Sequence, residues 1–568
     1  MKVAGEGEYT GQYLVNLEIV PEGKTSLDRL ELEIPVSDPV DTCYSYSSRD
    51  SMLLYKKDHP WTGQPQEGEL WNNLSDRTSR PYILYLGNGE RGLYWYTDSY
   101  EGFWLDPNQP HVFIEKRKNA TVLRIAFLNR TVVLDHPRHI RFAVFAVPCK
   151  PLPPDARAMQ WNNDRMHIGI TGWWGTIGCF TLPMDDQQWQ DWIAAKPFDF
   201  KGKPAPGDFP LTPVPPRDDT GRWLVQKGHE YASYCNDMIG YLQPELKVFA
   251  GEWVGVSDPP VSPDGSLLGY KDQHGNSIWP EPEQRTVFGM DPGVQSFYDF
   301  KAYHFYLQAK NAFAGGHWWD WAGLTEGNSL ERGEMYLNDE GQREPRSNLF
   351  LVRAFYHRLA RVVQELDLPD ANNVYAPGVV FQVPWLTRLC AIESLYLESD
   401  LDDMFDAWGV DRYRMQIGKY SGIPVQNCMN IPINFKDHRA RTVLALALLH
   451  DNGVFGLEGG NPCTDLLRKV GALDESATWI PYWRSQAVAS ASQPGLLITA
   501  YRMDSPKRLS LVVVNPGPSD VQADITVPGC DKATDLETDT AFSFAGGRIA
   551  NLTVKRHDFR LVILYSAT

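Results

Sequence analysis

The 568-residue sequence has no run of about 18 apolar residues long enough to cross a bilayer as a helix. It has no basic excess either. Against 71 Asp plus Glu stand 54 Lys plus Arg, for a formal net charge of -17, the wrong sign for neutralising nucleic-acid phosphates or anionic head groups. The eight cysteines (43, 149, 179, 235, 390, 428, 463, 530) are scattered without a CxxC pair or a Cys/His cluster, which removes zinc and thioredoxin-like readings. Also missing are a GxSxG elbow, an HExxH helix and an EF-hand loop, so no motif calls for a cofactor or a metal. The first 20 residues lack the basic region and apolar run of a signal peptide. A strand-like alternation begins within the first dozen residues, as if an upstream part had been trimmed. The chain therefore reads as cytoplasmic as written, or exported if its start is trimmed, and nothing in it fixes an oligomeric state.

What is abundant is aromatic: 19 Trp, 26 Tyr and 24 Phe in a chain that is 43% hydrophobic. Trp joins a large apolar face to an N–H that wants a partner, so either large cores or an aromatic-lined site must hold these rings. A chain of this length divides into two to four packed domains.

Residues 1–150 read as an antiparallel β-sandwich, in short β-rich runs broken by turn signals. Within them, Tyr85-Leu-Gly-Asn-Gly-Glu-Arg-Gly-Leu-Tyr-Trp95 sets a Gly/Asn turn between two apolar runs, the composition of a tight hairpin. Cys149-Lys-Pro-Leu-Pro-Pro154 reads as a stiff linker. From 155 to 480 short apolar runs alternate with helical patterns, with helices expected over 296–312, 346–366, 400–417 and 436–450. Because this region has no GxGxxG or GxxxxGK[ST], it reads as a (β/α)8 TIM-like barrel rather than a nucleotide-binding sheet. Residues 484–568 return to β and form a second antiparallel sandwich. The fold class is thus multidomain, α/β plus all-β: a barrel flanked by two sandwiches.

In a barrel the chemistry sits where strands end, so carboxylates closing a strand are the informative ones. Asp320 closes Gly315-Gly-His317-Trp318-Trp319-Asp320 and is followed by Trp321; a carboxylate among indoles suits a sugar pocket better than a core. Glu393 and Glu398 belong to a second strand, Ile392 to Glu398, which also carries Tyr396. The acidic run that follows has a plainer reading: Asp400 as a helix cap, with Asp402 and Asp403 in the first turn. Two carboxylates across a cleft, one kept protonated and one ionised, are what glycosidic-bond cleavage requires. Asp320, Glu398 and Glu393 are therefore the catalytic candidates. His317, Trp318, Trp319, Trp321, Trp173, Trp174, Glu252, Trp253 and Tyr396 are the candidates for holding a carbohydrate. Adjacent Asp339-Glu340 has the form of a substrate-assisted N-acetylhexosaminidase pair, yet Leu337-Asn-Asp-Glu-Gly-Gln342 reads first as a polar turn.

Several of these segments together resemble bacterial proteins related to glycoside hydrolase family 123: the Tyr85–Trp95 hairpin, Asp291-Pro-Gly-Val-Gln-Ser-Phe-Tyr-Asp299, and the strand ending in Asp320. The Asp339-Glu-Gly341 turn, the Ile392 to Glu398 strand and Ala447-Leu-Leu-His-Asp451 complete the likeness. It implies a sandwich, a catalytic barrel and a C-terminal sandwich. The chain also departs from that family. Where family 123 enzymes place adjacent Asp-Glu at a strand end, this chain has Asp320-Trp321, and Val379-Val-Phe-Gln-Val-Pro384 carries no His. The expected function is a glycoside hydrolase acting on a complex glycan. The alternatives are a carbohydrate-binding protein on a degenerate barrel and a substrate-assisted N-acetylhexosaminidase.

Overall fold

The computed structural model describes residues 1–8, 11–37, 42–46, 58–60, 67–74, 80–88, 90–161, 232–236, 239–242, 286–289, 316–320, 330, 333, 335–347, 349–365, 371–374, 387–395, 403–417, 422–434, 437–458, 460–504 and 507–566. The chain packs as two units. Unit 1 comprises Met1–Pro151, His167–Arg388 and Tyr420–Gly422, and unit 2 comprises Leu152–Met166, Leu389–Lys419 and Ile423–Thr568.

Unit 1 opens with the expected sandwich. Seven antiparallel strands run in the order Lys2–Gly7, Gln12–Ile19, Arg138–Val147, Gly92–Tyr96, Ile83–Gly87, Thr42–Tyr46, Asp58–Pro60. The second sheet has four, Leu30–Val36, Ala120–Leu128, Val112–Arg117 and Gly68–Asn72. Alternate residues of the two sheets (Val15, Leu17, Trp95 and Phe142 with Trp71, Ile114, Leu123 and Ile125) form one core. The hairpin from 83 to 96 is where it was expected, and its glycines answer a close approach. A Cβ at Gly87 would stand 2.6 Å from the Arg91 carbonyl oxygen, and one at Gly92 2.6 Å from that of Leu86.

Strand Ile83–Gly87 is buried at every position, so both faces of its sheet are covered. The second face carries Tyr85, Tyr94 and Tyr96, all buried, and meets the helix Leu349–Glu365: the Tyr96 ring lies 5.7 Å from that of Phe350. Buried Arg353 reaches from this helix to Gln12 and Glu8. Just before the helix, the hairpin Met335–Leu337/Arg343–Pro345 is tied to the sandwich by ion pairs of Arg80 with Glu344 and Arg138 with Asp339.

Unit 1 also holds three neighbouring parallel strands, Ala232–Asn236, Gly316–Asp320 and Ala371–Val374. Parallel strands need a crossover, and Leu349–Glu365 lies on the one between the last two. Unit 2 holds the strand Thr387–Leu395 from Leu389 onward, with Val425–Asn434 and Gly453–Glu458 parallel to it in turn. The helix His438–His450 lies between the last two and is capped at both ends. Asp437 accepts from Arg439 N–H at its start, and left-handed Asp451 (φ 54) ends it. The helix expected over 400–417 is two, Met404–Ala407 and Gly409–Ile417, because Gly409, which opens the second, takes a positive φ of 73°. The expected helix 296–312 lies outside the described residues.

The C-terminal sandwich pairs a five-stranded sheet, Thr478–Ile480, Leu497–Asp504, Lys507–Asn515, Asp558–Ser566 and Cys530–Asp535, with a four-stranded one. Ile498, Leu511, Val513, Ile525, Ile549 and Val562 fill the space between them. The side chains of strand Leu497–Asp504 also close the helix His438–His450. Tyr501 Oη donates to the Leu448 carbonyl at 2.9 Å and Thr499 Oγ1 to that of Leu449 at 3.0 Å, satisfying acceptors a helix end leaves open.

Candidate active site

The first candidate set lies on strand Gly316–Asp320. Asp320 is its last residue and stands in register with Asn236, the last residue of the parallel neighbour Ala232–Asn236. Asp320 therefore stands at the carboxyl end of a strand with a parallel partner on each side, the position from which α/β enzymes draw their chemistry. The strand's two-residue period divides the aromatic segment. Positions 318 and 320 share one face, together with Tyr234 and Asn236 of the neighbour, while positions 317 and 319 share the other with Ser233 and Cys235. Position 318 thus shares a strand face with position 320, and positions 317 and 319 take the opposite face. Trp321 lies outside the described residues.

The second set lies in unit 2. Glu393 is in register with Cys428, and the ladder slips immediately after it, pairing Leu395 with Met429. Such a bulge re-aims the residues around it and is common beside functional sites. Glu398 and Tyr396 follow the end of this strand and lie outside the described residues, as do Trp173, Trp174, Glu252 and Trp253. One carboxylate in the same kind of position as Asp320 escaped the sequence reading: Glu458 is the last residue of strand Gly453–Glu458, in register with Asn434. The signal for it is a carboxylate one residue beyond the apolar run Val454–Leu457.

The Asp339-Glu340 pair is a turn. Asn338 N–H donates to the Gln342 carbonyl at 2.9 Å, Gly341 has a φ of 75°, and Arg130 binds Glu340 at 2.7 Å while Arg138 binds Asp339. The hydrogen bond from Arg130 holds the Glu340 carboxyl below its usual range, the reverse of what a general acid needs.

Part of the aromatic excess has a packing role. Trp71, Trp95 and Trp104 are in the core of the first sandwich. In unit 2, Trp483, Tyr482 and Tyr413 surround the buried His450 at ring distances of 6.3, 5.7 and 5.1 Å, with Arg414 stacked 3.9 Å over Trp483. His450 ends the helix that leads into strand Gly453–Glu458, so this cluster lies toward that strand's amino end. Burial lowers His450 to about 3, keeping it neutral. Cys149 and Cys530 are half-buried, and burial pushes the Cys149 thiol up to about 11. No helix among the described residues is long and apolar enough to cross a membrane.

No protein-family model matches the chain, so the likeness to family 123 rests on the segments that suggested it. No curated protein sequence matches it either. Among solved structures, the chain is similar to the galactosidase domain of an α-galactosidase–sucrose kinase, at 10% identity and a TM-score of 0.42, over 98% of this chain and 79% of that one. It is similar at 10% identity and a TM-score of 0.39 to the GH36 α-galactosidase AgaA of Geobacillus stearothermophilus, over 98% and 80% of the two chains. A maltogenic α-amylase of Thermotoga neapolitana matches at 12% identity and a TM-score of 0.34, over 60% of this chain and 78% of that one. All three are glycoside hydrolases; at these scores neither their activity nor their fold is carried over to this chain.

Proposed function

We propose that the protein is a glycoside hydrolase in which Asp320 is a catalytic carboxylate and Trp318 a platform for the sugar ring. The observation that carries this reading is the position of Asp320, at the carboxyl end of a parallel strand flanked by parallel strands, on the same face as Trp318. Glycosidic cleavage needs a second carboxylate. Glu398 and Glu393 remain the candidates for it, and Glu458 joins them on the same positional ground. The parallel strands and their helices are read as parts of a (β/α)8 barrel over 155–480, between sandwiches at 1–150 and 484–568. His317, Trp319, Trp321, Trp173, Trp174, Glu252, Trp253 and Tyr396 are proposed to line the approach of the glycan.

A flat indole face matches the C–H side of a pyranose ring, and a carboxylate beside it either protonates the leaving oxygen or attacks, or activates water at, the anomeric carbon. With the Asp339 and Glu340 side chains bound to arginines, that pair gives no support to substrate-assisted hydrolysis. The test is a screen on chromogenic glycosides and polysaccharides with product analysis, repeated on Asp320→Asn, Glu398→Gln, Glu393→Gln and Glu458→Gln. The expectation is loss of turnover in Asp320→Asn and in one of the Glu variants, with unchanged folding. Binding of glycans by a wild-type chain that hydrolyses none of them would favour the carbohydrate-binding alternative.

A further inference from the structure

One cluster of metal-ligating side chains in unit 2 plays no part in the function above. Asp403 caps the short helix Met404–Ala407, its Oδ1 accepting the Phe405 N–H at 2.9 Å. The expected cap, Asp400, lies outside the described residues. Capping occupies only that oxygen. The other, Oδ2, faces two imidazole nitrogens, His557 Nδ1 at 2.6 Å and His438 Nε2 at 3.0 Å. Asp406 Oδ2 lies 3.9 Å from the same His557 nitrogen. Donor atoms of Asp403, Asp406 and His557 all fall within 4.8 Å of one another. These groups come from three separate places: the helix Met404–Ala407, the first residue of His438–His450, and the turn before strand Asp558–Ser566. Asp403 and His557 are buried, whereas about half of the His438 and Asp406 side chains is exposed, so the cluster has a buried floor and an open side.

We propose that Asp403, Asp406, His438 and His557 bind a divalent transition cation of the zinc type. Two carboxylates and two imidazoles make a four-donor set of the borderline character zinc takes, whereas Ca2+ and Mg2+ prefer six or more oxygens. Around a tetrahedral ion with bonds of about 2.0–2.2 Å, neighbouring donor atoms stand about 3.3 Å apart. The observed 2.6 and 3.9 Å among Asp403, His557 and Asp406 bracket that spacing, and half-exposed His438, whose Nε2 stands 3.0 Å from Asp403 Oδ2 but outside that group of three, swings in as the fourth donor. One group competes. Arg556 Nη2 binds Asp406 Oδ2 at 2.9 Å, and an incoming ion must displace that half-exposed guanidinium or share the carboxylate with it. Bound metal would join the C-terminal sandwich turn to two helices of the same unit.

The test is titration of the untagged, chelator-treated full chain with zinc chloride by isothermal calorimetry, with calcium chloride as the contrast. The expected result is one zinc ion per chain, no calcium uptake, and a rise in the thermal midpoint on zinc addition. His557→Gln and His438→Gln should each weaken zinc binding by about ten-fold or more and reduce the thermal rise, while Arg556→Gln should tighten it. His438 is exposed enough that its variant separates loss of a ligand from loss of the fold. A wild-type chain that takes up no zinc overturns the proposal, as do both histidine variants binding zinc as tightly as the wild type does.

Discussion

Removing one side of the Arg157–Asp451 pair should destabilise unit 2 more than any surface change. Arg157, on the helix Ala156–Trp161, places Nε 3.0 Å from Asp451 Oδ1 and Nη2 3.0 Å from Oδ2. Its Nη1 donates to the Ala477 carbonyl at 2.8 Å and also to that of Asp474. Both side chains are at least nine-tenths buried, at 8% and 5% exposure. Arg157→Ala leaves a carboxylate without its partner in a site water barely reaches, and strips two carbonyls of their donor. Breaking a buried pair from one side costs about 3–5 kcal/mol. At roughly 2–4 °C per kcal/mol for a unit of this size, the midpoint should fall by about 6–20 °C. Asp451→Asn keeps the left-handed backbone and one acceptor oxygen, so its loss should be smaller. The double variant should lose less than the sum of the two, since neither partner is then left buried alone. Differential scanning calorimetry reads each midpoint. Arg468→Ala serves as the control: its pair with Asp465 is exposed, 2.7 Å apart and three residues away on one helix, and is worth about 0.5 kcal/mol at most. An Arg157→Ala midpoint within about 2 °C of that control would refute the reasoning.

The buried histidine of the same unit sets an acid limit. His450 titrates at about 3 when folded, against an ordinary value of 6.5. Between those values the unfolded chain binds the extra proton, so stability is full above the upper one and falls as pH drops, by about 1.4 kcal/mol per pH unit. His450→Phe keeps an aromatic ring and should flatten the fall in the thermal midpoint across that window; superimposable pH profiles would contradict it. At Gly453 a Cβ would sit 1.8 Å from the Gln160 carbonyl oxygen. Gly453→Ala should therefore push the helix Ala156–Trp161 off the strand and cost about 1–3 kcal/mol. Denaturant unfolding checks it, and an unchanged midpoint would show that the contact yields freely.

The sandwiches were legible because their strands carry strong local signals. Ile83–Gly87 and Gly92–Tyr96 flank a Gly/Asn turn, and Lys507–Asn515 runs through Leu-Val-Val-Val. Helices 349–365 and 438–450 fall within the helical patterns expected over 346–366 and 436–450. What stayed hidden was short and polar. Ala371–Val374 (Ala-Asn-Asn-Val) and Ala232–Asn236 are strands by virtue of their parallel neighbours rather than of composition. In strand Val425–Asn434 the Asn and Pro residues break up the apolar run. At the site, the strand end at Asp320 was readable, but the split of Trp318 from Trp319 needed the pairing register. The Trp count overstated the sugar site, since Trp71, Trp95 and Trp104 are core. The Asp403–His438–His557 cluster was invisible in one dimension because its members are 35 and 154 residues apart from Asp403.

The most direct test of the central claim is the initial rate of glycoside cleavage by wild type and Asp320→Asn, side by side on one substrate found in the screen, with both thermal midpoints recorded. The account predicts that Asp320→Asn loses at least about a thousand-fold in kcat, the order expected when a group essential to proton transfer or attack is removed, at an unchanged midpoint. Full turnover by the variant would contradict it.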